Sequence, residues 1–389
     1  MDHGRDVILV ANSPGELSAL VPPVVEKLKE KDSDTRLILF ITPCQYASGR
    51  EVEFAKNIRG LAEVISTKEY KKWLLGGPLP RNLSIKYTGV VLYLGGDLMH
   101  ATLIAKKLKY KAYAYLAGKH IAWTAVFDKF FLPDKSAEEH FLKKKVAPKK
   151  LEVVGDLMVN SINVKDRKKT TKHWHLKEDR PIVAFMPGSR EWELKYMVPL
   201  YEKIVKILKK RTPDIQTLLT VSPFVTVEKV EKYMKGHHFD ALIPFSSLSA
   251  ADLAVTIPGT NTAQLAVIGL PSIMIFPLDK PEAIPLEGIM HYITAIPVLG
   301  YFLKKLMAWI INTRTRYFAL PNIKANKMIM PEIRGKIKPK EVVLKIEKML
   351  SRKEDLKTTS RELKEIMGNS QAAEKIVKRI LNEGFSETA

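Results

Sequence analysis

Two corners of the sequence join a glycine to hydroxyl or cationic side chains where an apolar run stops and a helix-forming segment starts. The first is Met186-Pro187-Gly188-Ser189-Arg190, within FMPGSREWEL; the second is Pro258-Gly259-Thr260-Asn261-Thr262, within ADLAVTIPGTNTAQLAVIGLPSIMIF. A strand that turns into a helix aims backbone N–H groups and the positive end of the helix dipole at whatever sits above the turn, which suits a phosphate. Gly188 and Gly259 would let an anion approach the backbone, and Ser189, Thr260 and Thr262 can cap or donate. Arg190 offers a two-pronged donor, and Gln264 stands one turn into the second helix, within reach of ribose hydroxyls. The plainer alternative is a pair of capped helices. Neither corner has P-loop spacing or a GxGxxG fingerprint, so an NTPase or a dinucleotide dehydrogenase is poorly supported.

A proton acceptor would complete such a site. Asp97 closes Leu94-Gly95-Gly96-Asp97 at the end of an apolar run and is the expected base, with Glu16, in the turn after the first run, in reserve. An aspartate in that place is equally a helix cap. His100 and His120 are less suited. Asp32-Ser33-Asp34 has the Asp-x-Asp pattern of metal-dependent transferases but reads as a solvated turn, and His173-Trp174-His175 and His237-His238 lack partner ligands at zinc spacing. No metal and no cofactor is expected.

The elements that would hold these residues alternate between strand and helix. Short apolar runs at 6–11, 36–42, 89–94, 111–116, 129–132 and 151–155 read as strands, and a helix is expected over 16–31. The pattern stops between Asn163 and Arg180, a charged stretch expected to be a linker, and restarts at 181–186, 216–221, 241–244, 251–257 and 272–276. The expectation is an α/β chain of two doubly wound, Rossmann-like parallel-sheet domains facing across a cleft: an N-terminal domain at 1–162, a linker at 163–180 and a C-terminal domain at 181–366. A charged helical tail follows, and 367–389 is expected to pack back toward the first domain. At 389 residues and 44.0 kDa the chain has material for two cores. One cysteine, Cys44, excludes an internal disulfide, and the opening apolar run is too short for a secretory signal, so a cytoplasmic location is expected.

The two corners, together with YFALPNIKANKMIMPEIRG (Tyr317 to Gly335), resemble the donor half of the lipid-A-disaccharide synthase family, GT-B glycosyltransferases that move an acylated glucosamine from UDP to an acylated glucosamine 1-phosphate. VILVANSPGELSAL, VLYLGGD and VVGDLMVNSI fall in family positions as well. The resemblance implies a diphosphate at Gly188, Ser189 and Arg190 with acidic Glu193 behind it, and a Ser-Gly-Thr-type turn at Gly259 and Thr260 beside Asn261. It also implies a uridine-side Asn322 closed by Glu332, and catalysis by Asp97, and it makes 1–162 the acceptor domain and 181–366 the donor domain. Several positions depart from the family: Ala19-Leu20 stand where it has Gly-Asp, Gln264 where it has a ribose-binding glutamate, and Asn326-Lys327 where it has Gly-Arg. Its acceptor-side aromatic loop is shortened to Gly118–Trp123. Arg190, the two helix N-termini and Lys327 would then do a metal's work at the diphosphate.

The formal charge of +21 calls for an anionic partner. The stretch Ala283–Ile311 is apolar, and Gly288 to Leu303 carries no charged residue; it is shorter than the roughly 20 residues a spanning helix needs, contains Pro297, and is flanked by Lys304, Lys305, Arg314 and Arg316. It is expected to lie on the inner face of the cell membrane without crossing it, or else to be a buried helical hairpin. Lysines spread over every helix without interleaved aromatics argue against nucleic acid. The leading expectation is thus a metal-independent, inverting transferase with a UDP-sugar donor and a lipid-linked acceptor, and a homodimer is compatible with it. The alternatives are a UDP-N-acetylglucosamine 2-epimerase-like enzyme and a non-catalytic binder of a sugar nucleotide or glycolipid.

Overall fold

The computed structural model describes residues 4–44, 47–79, 83–86, 88–118, 120–160, 162, 165–279, 309–310, 312–368 and 371–385. Two compact units share the chain, one formed by 1–161 with 369–389 and the other by 162–368. Of the segment expected to meet a membrane, only Trp309 and Ile310 fall within the described residues.

In the first unit, seven parallel strands, β1 (Arg5–Ala11), β2 (Arg36–Ile41), β3 (Glu63–Ile65), β4 (Thr88–Tyr93), β5 (Lys111–Tyr115), β6 (Phe127–Leu132) and β7 (Leu151–Val153), lie in the order β3-β2-β1-β4-β5-β6-β7. The apolar run at β1 is continuous because helices cover both faces of the sheet; every residue from Val7 to Ala11 is fully buried. Asp6 is buried at its start, held by Arg36 at 2.8 and 2.9 Å and by the Lys86 N–H at 2.9 Å, so the charge is taken up locally. The helix expected over 16–31 is two helices, Pro14–Ala19 and Val21–Lys31. Pro22 and Pro23 have no N–H to give the preceding turn and are tolerated only in a first turn, so the chain restarts there. The Ala372–Arg379 helix packs on Val21–Lys31, with Ile376 and Val377 fully buried and Glu374 reaching Lys31 at 3.0 Å.

In the second unit, β8 (Ile182–Met186), β9 (Gln216–Val221), β10 (Ala241–Pro244), β11 (Leu253–Thr256), β12 (Ser272–Pro277) and β13 (Glu332–Gly335) are parallel in the order β10-β9-β8-β11-β12-β13. The 163–180 stretch expected as a linker contains a helix, Arg167–His173. Its apolar content is negligible, but Asp166 caps it through the Lys169 N–H, buried Thr170 and Thr171 tie it down, and Arg167 pairs with Asp252 at 2.8 Å. Polar anchoring substitutes for an apolar face there.

In both sheets the first strand has neighbours reached by chain running in opposite directions. The loops after β1 and β4 therefore lie side by side, as do those after β8 and β11, and such switch points are where open α/β sheets take ligands. The sheet order thus brings Asn12–Glu16 beside Gly95–Asp97 in one unit, and Pro187–Arg190 beside Ile257–Thr260 in the other.

Candidate active site

The switch point of the first unit is organised by Glu16. Its carboxylate accepts from the N–H groups of Asn12 (3.0 Å), Ser13 (3.1 Å) and, across the switch, Gly96 (3.1 Å). A side chain on Gly95 would overlap that carboxylate, and Gly96, at φ +96°, leaves room for the Asn12 amide, which donates to Pro43 O at 3.0 Å. The Gly-Gly pair therefore makes space for a clamp between the β1 and β4 loops. Both oxygens of Glu16 are committed to that clamp, which fits a positioning role better than that of reserve base.

Asp97 is exposed and is the N-cap of the Leu98–Leu108 helix, accepting from the Met99 N–H at 2.8 Å. One of its oxygens does the capping, and no bond among those described engages the other. His100, one turn on, meets the hydroxyl of fully buried Tyr70 at 2.9 Å through Nδ1. Burial pushes Tyr70 up to about 12, so the phenol keeps its proton beside the ring. Burial also holds His100 below the usual histidine range. His120 is exposed.

The second unit has two corners in different states. At the first, Gly188 (φ +107°) leads into the Glu191–Arg211 helix, and Glu193, buried in its first turn, folds back onto the corner. Its carboxylate accepts from the N–H groups of Ser189 (2.7 Å) and Arg190 (2.9 Å) and from the Arg190 guanidinium (3.3 Å). The N–H groups expected to face a phosphate are thus occupied by the protein's own anion, and a side chain on Gly188 would overlap it. The Arg190 side chain is itself held on Glu193, and the backbone N–H groups of Ser189 and Arg190 are taken.

The other corner is open. Gly259 caps the Thr260–Ile268 helix at φ +109°, ψ −156°, a conformation almost confined to glycine, and nothing lies within 4 Å of where its Cβ would be. Among the described residues no acceptor meets the N–H groups of Thr260 and Asn261, and the Asn261 and Gln264 side chains make no hydrogen bond. Thr262 is the exception: buried, it donates to Gly259 O at 2.8 Å and accepts from the Leu320 N–H at 3.0 Å, which fixes this helix to the Leu320–Ala325 helix.

The Leu-Pro-Asn block, expected on the uridine side, is bonded within its own unit. Asn322 is fully buried; Nδ2 donates to Met330 O (2.6 Å) and Glu332 (2.9 Å), while Oδ1 accepts from Ile329 N–H and Met330 N–H (both 2.8 Å). Glu332 also accepts from Phe318 N–H and Ala319 N–H (both 2.9 Å) and is paired with Arg334. All hydrogen-bonding capacity of the Asn322 amide is used within the fold, so none is left for uridine. Lys327 pairs with Glu362 at 2.6 Å. Asn326 closes the helix at φ +51°, the left-handed position where a glycine is otherwise favoured and asparagine is best tolerated.

Asp32 of the Asp-x-Asp turn accepts from the N–H groups of Asp34 and Thr35 (3.1 and 3.2 Å), an ordinary turn fold-back. Among the described residues, no group of three or more His, Cys, Asp or Glu could hold a metal ion, and no helix is long and apolar enough to cross a membrane.

Burial pushes Glu16 and Glu193 above the usual carboxylate range, against the N–H donors that pull them down and, for Glu193, the Arg190 charge. The folded state then holds these protons more tightly than the unfolded chain, so stability falls as pH rises from the unfolded carboxylate value through the raised one. Relative to the parent, the cost of Glu16→Gln should therefore shrink as pH rises above the ordinary carboxylate range in urea titrations. A cost that grows as pH rises would contradict the assignment.

Residues 119–281 match the family model described as lipid-A-disaccharide synthetase. The matched stretch contains both glycine corners and leaves out Asp97 and the Leu-Pro-Asn block. Among curated proteins the chain is 24% identical over 352 residues to the lipid-A-disaccharide synthase of Actinobacillus pleuropneumoniae serotype 3, covering 85% of this chain and 82% of that one. It is 24% identical over 184 residues to lipid-A-disaccharide synthase 1 of Legionella pneumophila (strain Paris), covering 46% and 42%. The chain thus spans about half the length, or less, of several curated relatives it matches, 42% of one and 51% of another. Of solved structures, a putative UDP-N-acetylglucosamine 2-epimerase from Listeria monocytogenes superposes with a TM-score of 0.62 at 12% identity, over 99% of this chain and 98% of that one. At that identity the likeness concerns the fold alone, two Rossmann-like domains of the GT-B kind. The chain therefore has a GT-B fold, and its residues 119–281 are similar to the lipid-A-disaccharide synthetase family.

Proposed function

We propose that the protein is a glycosyltransferase that moves an N-acetylglucosamine-type sugar, acylated as the resemblance implies, from UDP to a lipid-linked or acylated sugar acceptor. The observation that carries the reading is the open corner at Gly259, a glycine-only turn with unmet N–H groups at a helix N-terminus, within the stretch that matches the family model. In this reading the diphosphate sits on the Thr260 and Asn261 N–H groups, the Arg190 side chain supplies the positive charge, and Asn261 and Gln264 meet the ribose or sugar hydroxyls. Asp97 takes the proton of the acceptor hydroxyl as its oxygen attacks the anomeric carbon on the face opposite UDP, which inverts that centre. Helix dipole and guanidinium together take the charge left on UDP, the work a divalent ion does elsewhere. The enzyme works as a peripheral protein on the inner face of the cell membrane, where Ala283–Ile311 meets the lipid.

Isothermal titration with UDP tests the donor half. Arg190→Ala is expected to weaken binding by about tenfold or more, since a charged hydrogen bond is worth about 1.5–3 kcal/mol. Gly259→Val, which forces a branched side chain into the φ +109° turn, should abolish binding. Equal affinity in both variants and the parent would remove the reading.

A further inference from the structure

Five of the large apolar side chains that stand exposed fall between residues 309 and 328: Trp309 (63%), Ile310 (36%), Leu320 (38%), Ile323 (49%) and Met328 (54%). Leu320 and Ile323 are three apart on one helix and share a face, with Met328 just past its end. From 309 to 331 the sequence holds four cations, Arg314, Arg316, Lys324 and Lys327, and no acid. Arg314 and Lys324 are exposed, and the Lys324 ammonium also donates to Met367 O at 3.3 Å. Lys327 is paired with Glu362, and Arg316 lies against Asn326 and the Tyr317 ring.

This display is rigid. The side of the Leu320–Ala325 helix turned inward is held by fully buried Asn322 and by Glu332, which together bind the backbone of Phe318, Ala319, Ile329 and Met330. A loosely packed segment would expose apolar groups because nothing holds it; here the network fixes the helix with its apolar side out. The Leu320 N–H is bonded to Thr262, so the same helix is fastened to the one whose N-terminus forms the open corner.

We propose that the outer face formed by Leu320, Ile323 and Met328, rimmed by Arg314 and Lys324, rests on an anionic lipid bilayer and thereby holds the Gly259–Thr262 corner at the membrane surface. The proposal rests on the membrane part of the function above and places the contact on residues beyond Ala283–Ile311. Apolar side chains on one helix face with long basic side chains beside them match the apolar–headgroup boundary of a bilayer, where Lys and Arg lay their stems along the acyl layer and keep their charges among anionic headgroups. A protein partner would need a shaped, charge-matched surface; a bilayer needs only apolar insertion and positive charge. A lipid-linked substrate would then reach the open corner without leaving the membrane.

Co-sedimentation of the full chain with vesicles tests this. The parent should pellet with phosphatidylglycerol-rich vesicles and stay in solution with phosphatidylcholine alone. Ile323→Asp with Met328→Asp should weaken the anionic-vesicle partition by about tenfold or more. Arg314→Glu with Lys324→Glu should weaken it by a similar factor, with the difference shrinking at high salt. Unchanged UDP affinity in each pair of substitutions shows that the fold is kept. Parent-like partition of both variants, or no binding by the parent, overturns the proposal. So does a parent dimer that Ile323→Asp with Met328→Asp breaks without loss of lipid binding, since the face would then be an interface between copies. Vesicle binding that follows the substitutions while the parent binds no UDP upholds the surface and removes the donor reading.

Discussion

Asp97→Asn is expected to lower sugar transfer by about 10²–10⁴-fold while leaving the protein as stable as the parent. The two expectations separate two roles that this residue combines. As N-cap of the Leu98–Leu108 helix, Asp97 accepts from the Met99 N–H at 2.8 Å, and asparagine fills that role about as well as aspartate. As a base it needs a carboxylate, and an amide oxygen cannot hold the proton of the acceptor hydroxyl. Asp97→Ala removes both roles and should lose transfer to the same extent while costing a further ~1 kcal/mol of stability. Turnover of a UDP-sugar with an acylated acceptor, beside urea midpoints for the two variants, reads both quantities. If Asp97→Asn turns over like the parent and only Asp97→Ala is destabilised, Asp97 is a cap and the base lies elsewhere. His100 would be a poor successor, because the Tyr70 hydroxyl at 2.9 Å already engages Nδ1.

The sheets were legible in the sequence because parallel strands covered on both faces read as unbroken apolar runs, as at Val7–Ala11 and Ile182–Met186. The strands that were missed lack such a run. β3 is three residues long, and β13, Glu-Ile-Arg-Gly, is an edge strand without a buried residue. The Arg167–His173 helix was hidden for the related reason that its anchors are hydroxyl and charge contacts. At the site, turn chemistry identified the glycine corners but not what occupies their N–H groups. That signal was present: Ser13-x-x-Glu16 and Arg190-x-x-Glu193 put a carboxylate at the third helical position, from which it bonds the backbone at the start of its own helix. The glycines at 95 and 188 follow from these carboxylates, each of which fills the space a Cβ would need. Gly259 has no such carboxylate, and a contrast between two similar corners that depends on a third residue's placement is not visible in either corner's spelling.

Asn322→Ala should destabilise the second unit by about 4 kcal/mol, an effect reserved for the loss of a fully satisfied buried group. Truncation deprives Ile329 N–H, Met330 N–H, Met330 O and Glu332 of a partner at once, in a site with no exposed surface to admit water. Glu332 would keep Phe318 N–H, Ala319 N–H and Arg334, so its charge stays paired and the loss falls on the backbone of the 329–330 turn. Asn322→Asp should fare no better: it retains the acceptor for Ile329 and Met330 but turns a donor to Glu332 into a second carboxylate 2.9 Å from the first. Urea titration gives the cost directly, and UDP titration of whatever remains folded supplies the comparison. If Asn322→Ala stays within about 1 kcal/mol of the parent yet loses UDP, the asparagine faces ligand and its network is dispensable. If stability collapses, any loss of UDP binding by this variant reports the collapse of the block that seats Leu320 on Thr262. The corner at Gly259 would then be shaped by Asn322 at second hand, through the helix it fixes.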